Sequence, residues 1–300
     1  MSAADLAEAR GDYAAELRAI QSSLKPAQSF GSGDLRLAST YERMGAAYCD
    51  NGKLRDAESA YLRSLRILET AAPDDPHLSV VLMGLTTVYT WTGETTKAER
   101  LARRAVTVRE RSLGINDVRL ATPLQNLAVV LQTEHRSAEA RDVYDRALAI
   151  LDRNGHANDM LTALARGNLG KLLGRMGLRD DAIRELSAAI ALGDAAPGAR
   201  PLPIIAFRTS LAKLYGQAGK WQEAYATIQQ AKNSAESIFG PHHFVLEGIL
   251  LTYADILRHL AHASDAKRME QQARMIHQRL HRENNMDLMV EARSLCCEIP

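Results

Sequence analysis

Alanine recurs along the chain at a nearly constant interval, and this interval limits what the chain can fold into. The series consists of Ala57, Ala98, Ala140, Ala182, Ala224 and Ala266. Successive members are about 42 residues apart, a spacing that a stack of like modules produces and a single globular core does not need. The chain is therefore predicted to be one repeat array, and Ala15, one further period before Ala57, extends the register toward Met1.

The residues around each alanine form the same pattern of large and small side chains. In the first complete repeat the pattern is Tyr41, Gly45, Tyr48, Gly52 and Ala57, and in the fifth it is Leu211, Ala212, Tyr215, Gly219 and Ala224. Large residues three and four positions apart line one face of a helix, and small residues let two helices approach closely. A glycine between the two helices suits a turn that needs a left-handed residue. Each repeat is thus predicted to be a helix-turn-helix unit, with His135 in place of the turn glycine in the third repeat.

This spacing resembles the tetratricopeptide repeat, whose usual length is about 34 residues. The additional residues lie between repeats, for example at 72–77, 114–117 and 240–243. A longer unit, of about 42 residues as here, resembles the repeat of kinesin light chains and their bacterial relatives. The resemblance covers roughly residues 35–283 and implies an all-α fold, a right-handed superhelical solenoid of helix-turn-helix tetratricopeptide repeats.

The register also predicts the domain organisation. Residues 1–34 form an N-terminal helix or partial repeat and a linker, residues 35–283 form six repeats, and residues 284–300 form a short C-terminal helix and tail. A repeat of two helices cannot bury enough apolar surface by itself, so each repeat depends on its neighbours, and the two ends need polar caps.

Composition excludes several classes of protein. The net charge is +1, from 37 basic and 36 acidic residues, which argues against a nucleic-acid-binding surface. No apolar run is long enough for a membrane span, so no membrane insertion is expected. The first residues lack the apolar stretch of a signal peptide, although a leader removed before residue 1 would leave no trace. We expect a cytoplasmic location, because the three cysteines form no disulfide framework, and a bacterial source, because alanine is abundant and arginine is preferred to lysine.

The candidate chemical groups do not combine into an active site. His242 and His243 are adjacent in a loop, with no further ligand at metal-binding spacing. Cys49 has no evident histidine partner, and Cys296 and Cys297 stand together near the end of the sequence. The sequence also contains no glycine-rich phosphate loop. We therefore predict no enzyme activity, no metal and no cofactor.

The first helices of stacked repeats line a common concave groove, and the candidate binding residues lie there. Asn126 and Asn168 occupy the same position in neighbouring repeats. Kinesin-light-chain-like repeats carry asparagine there, and its amide can hold an extended peptide backbone through one donor and one acceptor. The alternative is that each asparagine bonds to a neighbouring helix.

Basic residues collect in the groove of the later repeats. They are Lys171, Arg175, Lys213 and Arg258, with Arg166 and Arg208 one step nearer the apolar stripe. Clustered positive charge favours a ligand that carries carboxylates. The alternative is pairing with acidic residues of the same chain, for which Asp255 is one candidate. Trp91 supplies an apolar contact for a partner, or fills a gap between helices.

These observations predict a non-enzymatic scaffold or adaptor that binds a protein or peptide, for which we expect an acidic extended segment. The resemblance to kinesin light chains implies short linear peptides, some with a tryptophan beside acidic residues. Capture of a chaperone tail by a carboxylate clamp is not expected, because Glu42, Ala46 and Gly84 stand where that clamp needs Lys and Asn. Two alternatives remain open: a sensor array of a larger multidomain effector, and a self-assembling structural module. The sequence leaves the oligomeric state undecided.

Overall fold

The computed structural model describes residues 18–22, 24, 28, 29, 31–196 and 201–282. All regular structure in these ranges is helical, and they contain no β-strand. The α-helices are α1 (Leu35–Asp50), α2 (Leu54–Ala71), α3 (His77–Thr92), α4 (Thr95–Leu113), α5 (Ala121–Thr133), α6 (Ser137–Arg153), α7 (Met160–Arg175), α8 (Arg179–Ala195), α9 (Pro201–Gln217), α10 (Trp221–Phe239), α11 (Val245–His259) and α12 (Ala263–Arg282). A 3₁₀ turn, Val118–Leu120, precedes α5.

The helices follow one another as six pairs, and the two helices of a pair are separated by only two or three residues. We call the odd-numbered helices first helices and the even-numbered helices second helices. The described residues divide into two compact units with the boundary inside α6, between Val143 and Tyr144. The N-terminal unit contains α1 to α5, and the C-terminal unit contains α7 to α12. The predicted domain boundaries at 34/35 and 283/284 stay predictions.

Packing within each unit follows the order of the repeats. In the N-terminal unit α1 packs on α2 and α3 on α4, while α2 packs on α3 and α4 on α5. First helices also contact each other, α1 with α3 and α3 with α5. The C-terminal unit repeats this arrangement, because α8 packs on α7 and α9, α10 packs on α9 and α11, and α9 contacts both α7 and α11.

The alanine register proves to be the closest packing position of the second helices. All six register alanines are buried, from Ala57 to Ala266. Gly170 of α7 shows why a small residue is needed opposite them, because a Cβ on Gly170 would lie 3.2 Å from the carbonyl oxygen of Ala182. The predicted function of the small residues, close approach of two helices, is confirmed.

The turn between paired helices also has the predicted conformation. Gly52, Gly93, Gly177 and Gly219 all have positive φ angles. His135 and Ala261 hold the same turn position in the third and sixth repeats, with φ angles of 61° and 63°. Non-glycine residues are uncommon in this region because Cβ clashes with the backbone. Of the two possibilities for His135, a turn of different shape or a left-handed residue, the structure has the second, and Ala261 is a further case that was not predicted.

Aspartates stabilise the starts of several first helices. The Asp34 carboxylate accepts a hydrogen bond from the backbone N–H of Arg36 over 2.8 Å, and that of Asp159 accepts one from Thr162 over 3.0 Å. Asp117, which precedes the 3₁₀ turn, accepts one from Arg119 over 2.9 Å. The Arg119 side chain bonds both oxygens of Asp117 as well. These side-chain bonds, together with the backbone bond, lower the pKa of Asp117 to about 2.

Replacing Asp117 by asparagine should remove a pH-dependent part of the stability. The pKa of Asp117 is lowered from 3.8 to about 2 in the folded chain, so its stabilising effect is present above pH ~3.8 and is lost as pH falls through ~2. We expect Asp117→Asn to cost less than about 1 kcal/mol at neutral pH, because the ion pair is exposed and asparagine still caps the turn. Unfolding free energies at pH 7 and pH 2 would measure this. Asp142→Asn, at an exposed residue of α6, controls for the change in charge. A loss of stability for Asp117→Asn that is the same at both pH values would contradict the stabilising effect assigned to the ionised Asp117 carboxylate.

The last second helix, α12, carries polar residues where earlier repeats are apolar. The corresponding position is buried in every earlier repeat, as Tyr61, Ala102, Tyr144, Leu186 and Ile228. In α12 it is Glu270, which forms an ion pair with Arg258. The position one turn later is the buried Leu65 in α2, the half-buried Lys232 in α10 and the exposed Arg274 in α12. The residues that receive the next first helix elsewhere in the array are therefore charged at this end, as expected of a polar cap. The predicted N-terminal partial repeat around Ala15 and the predicted final short helix lie outside the described residues.

Candidate functional site

The predicted binding residues are divided between the two units. Trp91 of α3 and Asn126 of α5 belong to the N-terminal unit. The other six lie on α7, α9 and α11 of the C-terminal unit: Asn168, Lys171, Arg175, Arg208, Lys213 and Arg258. The two groups are described separately below.

The two asparagines are buried. Asn126 is 1% exposed and Asn168 is 5% exposed. Neither polar atom of the Asn126 amide has a hydrogen-bond partner, and the same is true of the adjacent Gln125, which is also 1% exposed. The alternative interpretation, in which Asn126 bonds to a neighbouring helix, is therefore not what the structure shows for this residue. Gln125 was not among the predicted binding residues, although its amide is the direct sequence neighbour of Asn126.

Two glycines show that these positions face other helices. Gly84 of α3 holds the position of Asn126 one repeat earlier, and a Cβ there would lie 2.5 Å from Cε1 of Tyr61 on α2. Gly167 of α7 holds the position of Gln125 one repeat later, and its Cβ would lie 2.5 Å from Cε1 of Phe207 on α9. Both positions thus lie at contacts between neighbouring repeats.

Two of the basic residues form ion pairs with the second helix α8. Arg166 donates to Glu185 over 2.8 Å. Arg208 donates from Nη2 to both oxygens of Asp194, over 2.6 and 2.5 Å. The Arg208 side chain is only 13% exposed, so this pair offsets much of the cost of burying the guanidinium. Glu185 was set aside as a partner from the sequence because it belongs to the outer helix, and Asp194 was not considered; both acids nevertheless pair with first-helix arginines.

Arg258 is also paired within the chain. Its guanidinium contacts the carboxylate of Glu270 on α12, and Asp255 lies 3.9 Å away. The expectation that Asp255 could partner a base is correct for Arg258, but Glu270 is the nearer acid. Arg258 is consequently a poorer candidate for holding a ligand than the sequence suggested.

Among the predicted binding residues, three basic side chains form no ion pair in the described part of the chain. Lys171 and Arg175 lie one turn apart on α7, and Lys213 is the residue of α9 that corresponds to Lys171. Lys171 is half-buried, and Arg175 and Lys213 are exposed. We call Lys171, Arg175 and Lys213 the cationic cluster.

The distances within the cationic cluster follow from helix geometry. Side chains four residues apart on one helix have Cβ atoms about 5–6 Å apart, and packed helices have axes about 8–10 Å apart. Because α7 and α9 are in contact, we expect the Cβ atom of Lys171 to lie roughly 6 Å from that of Arg175 and roughly 10 Å from that of Lys213. Such an arrangement is uncompensated and open to a ligand with several negative charges.

An exposed apolar side chain lies on α11, a first helix that contacts α9. Leu251 of α11 is 49% exposed. Gly248 lies one turn before it, and a Cβ on this glycine would meet no atom within 4 Å. The surface of α11 is therefore open beside Leu251, which was not among the predicted binding residues.

Trp91 is half-buried near the end of α3. Its indole N–H is buried and donates to no acceptor. Buried indole N–H groups usually find a partner, so Trp91 has one unused donor. Both predicted uses of Trp91, as filler and as contact, are compatible with this position.

The described residues contain no group of three or more His, Cys, Asp or Glu side chains arranged to hold a metal ion. Cys49 is buried, and burial raises the pKa of its thiol to about 12. The ring of His243 stacks on Phe239 at 4.6 Å and also contacts Phe244, and burial lowers its pKa. These groups pack in the interior, while Cys296 and Cys297 lie outside the described residues. None of the described helices has the length and apolar character needed to cross a membrane.

Comparison with known protein families identifies the family of the repeat. The sequence profile of the tetratricopeptide repeat matches residues 36–111, 77–153 and 119–195, which together cover just over half of the chain. The chain belongs to the tetratricopeptide repeat family. Members of this family are repeat scaffolds, and the fold is typically non-enzymatic. No curated protein sequence matches this tetratricopeptide repeat protein significantly.

Solved structures support the kinesin-light-chain-like type of this tetratricopeptide repeat fold. BtubC (BKLC) from P. vanneervenii has a TM-score of 0.65 and 22% identity, over 76% of this chain and 92% of that one. A putative kinesin light chain from Podospora anserina with nearly identical TPR-like repeats has a TM-score of 0.55 and 18% identity, over 68% and 97% of the two chains. At these identities the likeness concerns the fold.

A third similar structure is a Rap protein complexed with competence and sporulation factor. Its TM-score is 0.66 at 12% identity, over 93% of this chain and 74% of that one. The predicted all-α tetratricopeptide fold is confirmed by these similarities together with the helix pairs.

Proposed function

We propose that this tetratricopeptide repeat protein is a non-enzymatic adaptor that binds an acidic, extended segment of a partner protein on the first helices of its C-terminal unit. The observation that carries the proposal is the cationic cluster. Its three side chains form no ion pair among the described residues, whereas Arg166, Arg208 and Arg258 of the same unit are all paired. A set of cations left uncompensated beside compensated ones favours an external anionic partner.

An extended peptide matches the spacing of the cluster. Alternate residues of an extended chain are about 6.6 Å apart, and residues three apart are about 10 Å apart. The first spacing suits Lys171 and Arg175 on α7, and the second suits Lys171 and Lys213 on neighbouring helices. Carboxylates at alternate positions of a ligand would therefore match Lys171 and Arg175, and carboxylates three positions apart would match Lys171 and Lys213. The Rap protein complexed with competence and sporulation factor is a similarly folded protein that holds a ligand, which supports binding as the general function.

The two asparagines, Asn126 and Asn168, contribute less to this proposal than the cationic cluster does. Asn168 is buried beside the cluster on α7, and Asn126 and Trp91 belong to the other unit. Backbone binding by Asn126 and Asn168 stays a prediction, as do the cytoplasmic location and the absence of cofactor, metal and nucleic-acid partners.

Reversing the cluster should weaken binding of an acidic peptide. The probe is a fluorescein-labelled peptide of five Glu-Ser dipeptides, and its binding to the full chain is measured by fluorescence anisotropy at several salt concentrations. We expect Lys171→Glu, Arg175→Glu and Lys213→Glu together to raise Kd at least about tenfold, equivalent to about 1.4 kcal/mol, and to flatten the salt dependence.

The matched control changes the same amount of charge elsewhere in the C-terminal unit. Arg179, Lys220 and Lys267 are exposed basic residues of the turn regions and second helices, and their joint reversal to glutamate should leave Kd nearly unchanged. A corresponding Lys-Ser peptide should not bind either protein. Equal weakening by both triple variants would refute the cluster as the binding site, because net charge alone would then explain the effect.

A further inference from the structure

Helix α12 is followed directly in the sequence by an acidic stretch of the same chain. Residues 283–300 contain four acidic residues and one arginine, a net charge of −3 in a chain of net charge +1. The acidic residues are Glu283, Asp287, Glu291 and Glu298. We call residues 283–300 the C-terminal segment. It has the charge that the proposed ligand of the cationic cluster needs.

We infer that the C-terminal segment is an internal ligand of the cationic cluster and competes there with acidic partner segments. This inference rests on the proposed function and names a means of regulating the same site. A tethered ligand binds at a high effective concentration, so even a weak contact of this kind can occupy the site for much of the time. Partner binding would then depend on displacement of the C-terminal segment.

The length of the segment is sufficient for this contact. α11 and α12 are joined by residues 260–262 and pack together, so they run antiparallel and the end of α12 lies near the start of α11. Lys213 is two packed helices away, about 20 Å, and about 18 Å further along the helix axis. The straight distance is then roughly 27 Å, which an extended chain covers in about eight residues.

This distance distinguishes between the acidic residues. Asp287 is five residues beyond Arg282 and can span at most about 18 Å, which is too short for Lys213. Glu291 is nine residues beyond Arg282 and reaches about 30 Å, and Glu298 reaches about 55 Å. Glu291 therefore suits Lys213, and Glu298 has the length to reach Lys171 and Arg175 on α7 as well.

Apolar residues add a second complementarity. The C-terminal segment contains Met286, Leu288, Met289, Val290, Leu295 and Ile299. The exposed Leu251 and the open surface at Gly248 lie on α11. In the order of packed helices, α11 stands between α12 and α9, which carries Lys213 of the cationic cluster. An apolar side chain of the segment that covers Leu251 would remove apolar surface from water and favour the contact.

The chain contains its own control for net charge. Residues 1–17 also carry four acidic residues and one arginine, a net charge of −3. They precede α1 of the N-terminal unit, whereas the C-terminal segment continues from α12 of the unit that contains the cluster. Neutralising either stretch changes the net charge of the whole chain by the same amount.

The test compares these two neutralised variants in the full chain. One variant changes the acidic residues of the C-terminal segment to amides (Glu283→Gln, Asp287→Asn, Glu291→Gln and Glu298→Gln), and the other does the same at the N-terminus (Asp5→Asn, Glu8→Gln, Asp12→Asn and Glu16→Gln). Binding of the Glu-Ser peptide is measured as above. If the C-terminal segment occupies the cationic cluster in half to nine-tenths of the molecules, its neutralisation should lower the Kd of the probe about two- to tenfold. The N-terminal variant should bind like the unchanged chain. Equal tightening in both variants, or in neither, would overturn the inference.

A second measurement keeps this test separate from the proposed function. A zero-length carbodiimide joins a carboxylate to a lysine only where the two are in contact, and peptide mapping of the monomer by mass spectrometry identifies the pairs. We expect links from Glu291 or Glu298 to Lys213 or Lys171, and their loss when Glu291 and Glu298 are changed to Gln. If the Glu-Ser peptide does not bind at all, the proposed function fails, and these links alone then decide the inference. Links from the C-terminal segment only to other lysines would contradict it.

Discussion

Gly167→Ala is expected to lower the free energy of unfolding by about 2 kcal/mol, an unusually large effect for the addition of one methyl group. The new Cβ would lie 2.5 Å from Cε1 of Phe207. Phe207 is completely buried, so its ring has no free space to move into. Overpacking of this kind costs about 1–3 kcal/mol or more, while the better helix propensity of alanine returns up to about 1 kcal/mol. Urea denaturation followed by circular dichroism measures the net change.

Gly248→Ala is the matched control, since it makes the same substitution in another first helix of the same unit. A Cβ at Gly248 meets no atom within 4 Å, so only the helix propensity changes and the chain should become more stable by up to about 1 kcal/mol. The two variants should thus have opposite signs. A loss of similar size in both would contradict the packing of Gly167 on Phe207.

A smaller side chain at position 207 should rescue Gly167→Ala. Phe207→Leu alone leaves a gap and is expected to cost about 1–2 kcal/mol. In the double variant the alanine methyl group occupies part of that gap, so the combined loss should be smaller than the sum of the two single losses. Strict additivity would show that residues 167 and 207 do not share one contact.

Asp194→Ala is expected to destabilise the chain by about 2 kcal/mol, because it leaves the guanidinium of Arg208 buried and unpaired. The value is below the usual cost of breaking a fully buried pair, since the Asp194 side chain is 49% exposed. Arg208→Leu should behave differently. Leu82, Leu124 and Leu250 are buried at the same position in other repeats, so leucine fits there, and the half-exposed Asp194 can be hydrated.

The two single variants therefore distinguish the effect of removing Asp194 from the effect of removing Arg208. Arg208→Leu should change the stability by less than about 1 kcal/mol, and the double variant Asp194→Ala with Arg208→Leu should resemble Arg208→Leu alone. Nε of Arg208 is buried without a hydrogen-bond partner, which is a further reason why removal of this side chain costs little. Equal losses for Asp194→Ala and Arg208→Leu in urea denaturation would contradict this account.

The sequence predicts most of the fold because the repeat supplies the same information several times. The alanine register placed the second helices, and all six alanines are buried. The inter-repeat loops also lie where they were predicted, for example between α2, which ends at Ala71, and α3, which begins at His77. These features can be predicted from residue spacing alone, because helix periodicity and turn chemistry are local properties.

The candidate site was harder to predict, because it depends on which helix each side chain meets. The positions of Gln125 and Asn126 read as groove residues from their spacing, yet both are buried, and their equivalents Gly167 and Gly84 pack on neighbouring helices. The partner of Arg208 could not be found from the first helices alone, because Asp194 lies on α8. Such pairs join residues whose relative positions are fixed by packing between helices and not by sequence distance.

The charged surface of α12 has a consequence for assembly. Copies of a repeat array can add to one another end to end, and a head-to-tail contact of this kind does not close but grows into an open filament. Growth of that kind needs an apolar end that accepts the first helix of the next copy. At this end Glu270 replaces the buried Tyr61, Tyr144 and Leu186 of earlier repeats and is already engaged by Arg258. A helix that docked there would bury a carboxylate instead of a hydrocarbon side chain, which costs free energy and disfavours an end-to-end contact on this face.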